Sequence, residues 1–315
     1  MAEKILIMGE SGTGKSTSMR NCDPAITAVI NPVGKPLPFR DSKKFTTLDG
    51  ETDSDKICTF MKDQVKAGKK MIVVDDFQYI LSIPYMNRIK ENGWDKWNDF
   101  GENYFKIIDV CKELPADVCV YYMTHCETLD DGITTVKLIG KLLREKITIE
   151  GLFTIVLRTA VSEGKYYFFT QNSGKDTVKS PMGMFDSFSI DNDLAYVDAK
   201  IRNYYEFDDA KSDDEILKLD ETKAGDIEKP QGRRGRRSHT ENTVEDEQPR
   251  KSRNEIAREK AEEAFKENQA KLAQDTREEV PFDEDIQADI NKAIAEAGDE
   301  PVENKPVKRI RRNRQ

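Results

Sequence analysis

Through the first two thirds of the chain, apolar residues come in short unbroken runs rather than in strict alternation. The clearest are Ile5-Leu-Ile-Met8, Met71-Ile-Val-Val74 and Val118-Cys-Val-Tyr-Tyr-Met123. Runs of this length, bounded by turn or polar residues, mark strands buried on both faces, as in a parallel sheet covered by helices. Residues 26–31 and 153–160 read the same way, the second followed by a hairpin arm over 166–170. Helical spacing intervenes at about 55–66, 97–114 and 137–146. Strand and helix alternate, so the expected class is α/β with a mainly parallel sheet flanked by helices.

The first run ends in Gly9, Glu10, Ser11, Gly12, Thr13, Gly14, Lys15, Ser16 and Thr17, which fits G-x-x-x-x-G-K-[ST], the Walker A pattern of P-loop NTPases. Each residue type has a task there. The glycines permit backbone angles that turn successive amides inward to cradle phosphate oxygens. A helix expected to begin near Lys15 points its N-terminal dipole at the same anion. Lys15 is expected between the β- and γ-phosphates, with the Ser16 hydroxyl on Mg²⁺. ATP and Mg²⁺ are therefore the expected ligands of residues 9–17.

The second run ends in Asp75-Asp76. A buried strand that carries an acid at its tip is what a Walker B element needs: Asp75 is expected at Mg²⁺, and Asp76 to polarise the attacking water. The third run stops at Thr124-His125, which places His125 as a sensor near the γ-phosphate.

Composition changes the picture mainly beyond the core. Hydrophobic residues make up 37% and charged residues 35%, too polar for one compact globule of 315 residues. The excess polarity lies late in the chain, so a folded core over 1–208 and a charged tail with short helices over 209–315 are expected. From Asp226 onward large apolar residues are scarce, and such a segment buries too little surface to offset its chain entropy. Two basic clusters in it, 232–237 and 308–314, are candidates for gripping phosphate backbone. An acidic stretch around Pro281-Phe282 hints at recruitment of a replication or recombination protein. The net charge of −9 argues against nucleic-acid binding by bulk charge. Five scattered cysteines without C-x-x-C spacing read as small buried hydrophobes. No stretch approaches a membrane span and the opening residues lack a signal-peptide pattern, so no membrane role and a cytoplasmic location are expected.

In this order, the elements resemble the phage nucleotide-binding family of RecA-like ATPases, whose best-understood members are Sak-type single-strand annealing proteins. The resemblance covers about residues 1–200. Besides the phosphate loop it rests on Ile72-Val-Val-Asp-Asp-Phe77, Thr124-His125, Lys141-Leu-Leu-Arg144, Tyr166-Tyr-Phe-Phe-Thr-Gln-Asn172 and Asp176-Thr-Val-Lys179-Ser. It implies an ATPase active in DNA recombination or annealing, working as a homo-oligomer on single-stranded DNA, in the cytoplasm of the bacterial host if phage-encoded. It implies strand-binding loops at about 83–98, where Arg88, Lys90, Trp94, Lys96 and Trp97 interleave cations with aromatics, and at 127–140. Lys179 matches a cation that relatives reach into a neighbouring subunit's site. Relatives follow it with an arginine, whereas here Ser180-Pro181 follows. The catalytic glutamate of RecA is also missing after the second strand, where Asn31-Pro-Val-Gly-Lys-Pro-Leu-Pro38 stands. The main alternative is an AAA-type remodelling or helicase-loading ATPase acting on a protein.

Overall fold

The computed structural model describes residues 1–91, 95–139 and 147–230, with only the backbone of Asp95. The sheet is ordered β3-β2-β4-β5-β1-β7-β8-β9, where β1 is Glu3–Gly9, β2 Thr27–Asn31, β3 Thr46–Asp49, β4 Met71–Val74, β5 Cys119–Thr128, β7 Ile155–Ser162, β8 Lys165–Phe169 and β9 Ser189–Asp191. The first six in that order run parallel, while β8 and β9 are antiparallel additions. A short β6, Thr134–Val136, folds back on the far end of β5.

The unbroken apolar runs bury both faces. Leu6 and Met8 of β1, Ile72 and Val74 of β4, and Val120 and Tyr122 of β5 face one core. Ile5 and Ile7, Met71 and Val73, and Tyr121 and Met123 face the other. The first core is covered by α1 (Ser54–Lys66), α2 (Tyr79–Asn87) and α3 (Asp95–Asp109), and the second by α4 (Leu194–Tyr204). α1 starts where the Asp53 carboxylate accepts from the amides of Asp55 and Lys56, at 2.9 and 3.1 Å.

Parallel pairing sends the loops after β1, β2, β4 and β5 to one edge of the sheet, the edge where α/β proteins bind ligands. The register sets Gly9 opposite His125 and Val74 opposite Tyr122, so the three expected site strands end side by side.

Several elements differ from expectation. The helix after the phosphate loop is a six-residue 3-10 turn, Ser16–Asn21, so the dipole behind the phosphates is a short one. Residues 83–87, expected within a strand-binding loop, belong to α2, which continues through an internal Pro84. No helix covers 137–139, and the rest of that expected helix lies outside the described residues. The packed unit also runs past the boundary expected at 208. There α5 (Asp213–Lys223) docks on α4, with the Tyr196 hydroxyl donating to Asp220 at 2.6 Å and Lys200 paired to the same carboxylate. Ile227 then bonds back to Ser189 at 3.0 Å. Composition misplaced that edge because the outer face of α5 is charged. The basic clusters and acidic stretch of the tail lie outside the described residues.

Cys22, Cys58, Cys111 and Cys119 are buried and Cys126 is half-buried. No helix among the described residues is long and apolar enough to cross a membrane.

Candidate nucleotide-binding site

The loop closing β1 has the geometry its glycines were expected to allow, with one difference. Gly12 and Gly14 hold φ of 79° and 93°, which side-chain-bearing residues rarely adopt. Gly9 is needed for another reason: a Cβ there would overlap the Thr159 hydroxyl on β7. Thr13 pins the turn by donating to the Glu10 carbonyl at 2.7 Å, and its hydroxyl meets that of Thr159 at 2.6 Å. Glu10, Ser11 and Gly12 form the exposed rim.

Lys15 is almost fully buried and donates to the carbonyls of Gly9 at 2.9 Å and Glu10 at 2.8 Å. Burial pulls its ammonium below the ordinary lysine value, against the opposing charges of Asp76 and Asp75. The Ser16 hydroxyl donates to Asp75 Oδ1 at 2.9 Å, joining the end of the phosphate loop to the tip of β4.

Asp75 is fully buried, and its Oδ2 has no hydrogen-bond partner within the chain. Burial pushes its carboxyl up to about 6, with the Asp76 charge adding to the effect and the Ser16 bond opposing it. A buried anionic oxygen left unpaired beside a hydroxyl fits a hard divalent cation, which takes oxygen ligands. Ser16 and Asp75 would hold Mg²⁺ in the presence of nucleotide.

Asp76 turns out of the strand on a left-handed backbone, φ 53°, which aspartate tolerates better than most residues. Its carboxylate is paired with Lys35 and lies 3.6 Å from His125 Nε2. Burial pushes that carboxyl up, but His125 and Lys35 outweigh it and hold it at about 2. So low a value suits an anion that orients partners better than one that takes a proton near neutrality.

Lys35 was missed by sequence reasoning, which saw only the lost glutamate in the loop after β2. That loop is tied by Asn31, whose side-chain amide donates to the Lys35 carbonyl at 2.7 Å, and it delivers the Lys35 side chain across to Asp76. Lys15, Ser16, Lys35, Asp76, His125 and Tyr166 line one cleft of about 360 Å³. Thr159 and Tyr166 were also missed as site residues. They arrive on β7 and β8, and only the fold brings them to the loop.

Other expected site residues lie elsewhere. Lys179 pairs its backbone with Val156 of β7, at 2.8 and 2.9 Å, and its exposed side chain does not line the cleft. Arg88 is engaged within the chain, by Glu91 at 2.7 Å, by Asp99 at 3.1 Å and over the Phe100 ring. Lys96 bonds to the Glu91 carbonyl, and Trp97 packs against Tyr85 and Phe100 at the edge of the core. Of the aromatics and cations expected to form a strand surface at 83–98, Trp97 is thus packed at the core edge, while Arg88 and Lys96 are engaged at the surface by groups of the same chain. Lys90 is exposed, and Trp94 lies outside the described residues. The second expected strand loop is the β5–β6 hairpin, with Lys137 exposed beyond it; Lys141 is outside the described residues.

The strand β5 inserted between the phosphate-loop strand β1 and the acid-bearing strand β4, with the loop geometry above, defines a RecA-like P-loop fold. Among solved structures, a KaiC-like protein from the hyperthermophilic archaeon Pyrococcus horikoshii OT3 is similar over 53% of this chain and 77% of its own, at 17% identity and a TM-score of 0.35. The fold assignment rests on strand order and loop geometry, not on that likeness. No protein-family model matches the chain, and comparison with curated proteins gives no match.

Proposed function

We propose that the chain is a Mg²⁺-dependent ATPase of the phage nucleotide-binding type, acting as a homo-oligomer on single-stranded DNA. One observation carries the nucleotide part: Ser16 and Asp75 meet at 2.9 Å at the mouth of a glycine loop, with a buried carboxylate oxygen still unpaired. Loop amides and Lys15 bind the phosphates, and Lys15 must release the Gly9 and Glu10 carbonyls to do so. Mg²⁺, when bound, neutralises developing charge on the β- and γ-oxygens. Asp76 and His125 face the cleft as an ordered pair that positions water and reports the state of the γ-phosphate.

The DNA part is supported by the motif resemblance over residues 1–200 and not by a basic surface, since Arg88 and Lys96 are occupied internally. That same observation favours a second reading, an AAA-type remodeller working on a protein partner. Fluorescence anisotropy of a labelled single strand, with and without ATP and Mg²⁺, separates the two. Nucleotide-dependent binding, abolished in Lys15→Ala, is expected. Negligible binding in both conditions, with ATPase intact, removes the DNA role and leaves the remodeller.

A further inference from the structure

We infer that the cleft next to the phosphate loop is an adenine subsite in which Asn192 reads the base edge and Tyr166 supplies the stacking wall. The inference deepens the nucleotide reading above and rests on it. The cleft measures about 480 Å³, and Thr17, Arg20, Tyr166, Asp191 and Asn192 are among its walls. It adjoins the phosphate cleft, since Thr17 and Tyr166 are walls of both. A base held here would be attached to phosphates held there.

Asn192 is the telling residue. It is fully buried, yet neither its Oδ1 nor its Nδ2 has a hydrogen-bond partner within the chain. A buried donor and a buried acceptor left open on one side chain are costly unless something supplies both partners. Its backbone is held firmly: the amide donates to the Tyr166 carbonyl at 3.2 Å, and its carbonyl accepts from Arg20. The side chain lies against the phosphate loop, with Oδ1 3.1 Å from where a Cβ on Gly14 would stand. The Tyr166 ring lies 2.8 Å from that same point, and the residue remains about half exposed (44%), which leaves aromatic surface for a planar group to pack on.

Adenine offers an amino donor beside a ring-nitrogen acceptor, the complement of a carboxamide. On the corresponding edge guanine offers two acceptors and would leave Oδ1 unpaired. Guanine's other edge offers N1–H beside O6, which a carboxamide can also pair, but its N2 amino group then needs a further acceptor, commonly a free carboxylate, and the two carboxylates at this cleft are committed. Asp191 is bound by Lys223 at 3.0 Å and Asp226 by Lys165 at 2.7 Å. The donor–acceptor balance therefore favours adenine.

The test is calorimetric titration of the full chain with MgATP, MgGTP and inorganic tripolyphosphate, on wild type, Asn192→Ala and the more exposed Tyr166→Ala. Wild type is expected to bind ATP at least about tenfold more tightly than GTP. Each variant should bring the two nucleotides to within about twofold of each other, and Asn192→Ala, which is not a wall of the phosphate cleft, should leave tripolyphosphate affinity unchanged. Equal affinity of wild type for ATP and GTP overturns the inference, as does a parallel loss of all three ligands in both variants. Equal affinity leaves the phosphate site intact, whereas the parallel loss would mean that both side chains support the phosphate loop rather than read a base. If wild type binds none of the three, the nucleotide reading itself fails and takes this inference with it.

Discussion

At the scale of single residues, the site is a contest among buried charges. Asp75 and Asp76 are neighbours in sequence, yet their environments drive them apart. Burial, with the Asp76 charge adding to it, outweighs Ser16, Lys35 and Lys15 and raises Asp75 to about 6, whereas His125 and Lys35 outweigh burial at Asp76 and hold it at about 2. Lys35 thus occupies Asp76 from a loop where RecA proper carries a glutamate. It is half exposed, so its ion pair adds little to stability. Its value is positional: a second cation on the cleft wall opposite Lys15, able to exchange Asp76 for a phosphate oxygen. Lys35→Ala is expected to weaken MgATP binding about tenfold, the worth of one charge-assisted hydrogen bond, and to change MgADP binding much less. Isothermal titration with both nucleotides checks this, and equal affinities before and after substitution would confine Lys35 to its salt bridge.

At the scale of elements, the least visible part of the sequence does much of the fastening. Arg202, near the end of α4, is almost wholly buried. It donates to Asp198 at 2.6 Å, to the Lys70 carbonyl at 2.9 Å and to the Asp117 carbonyl at 3.1 Å, tying α4 to the segments that enter β4 and β5. Asp198 in turn accepts from the Tyr121 hydroxyl inside the sheet at 2.7 Å. Breaking such a pair strands a buried charge, so Arg202→Met should cost about 3–5 kcal/mol in urea unfolding. Asp198→Asn in the same chain should recover part of that loss; full additivity of the two changes would show that the residues do not act as a pair. Legibility in the sequence follows the same logic. β1, β4 and β5 were plain because each contains an unbroken apolar run buried on both faces. α4 escaped because its buried face carries Asp198, Lys200 and Arg202, which look like solvent-facing charges until their partners are known. β3 escaped because an edge strand of Thr-Thr-Leu-Asp has little apolar content. The phosphate loop could be read because its ligands are contiguous. Lys35, Thr159, Tyr166 and Asn192 could not, since four separate segments bring them together.

At the scale of the whole molecule, the cleft has cations on the loop and on the β2 side, and nothing among the described residues supplies one from beyond the γ-phosphate position. Lys179 is the expected source, yet within one chain it is bonded along the side of β7, exposed and outside the cleft. If Lys179 serves a nucleotide site at all, that site is one on another copy. If copies associate head to tail, each site takes its lysine from a neighbour, and an active interface needs an intact Lys15 on one side and an intact Lys179 on the other. Lys15→Ala and Lys179→Ala proteins should each be nearly inactive alone. Mixed in equal amounts, random assembly places the sound site of one beside the sound lysine of the other at about a quarter of the interfaces, so about a quarter of wild-type turnover should return. Turnover is read as phosphate release after mixing, with each variant alone as the blank. No recovery, from two variants that still assemble, would mean Lys179 serves its own chain or none.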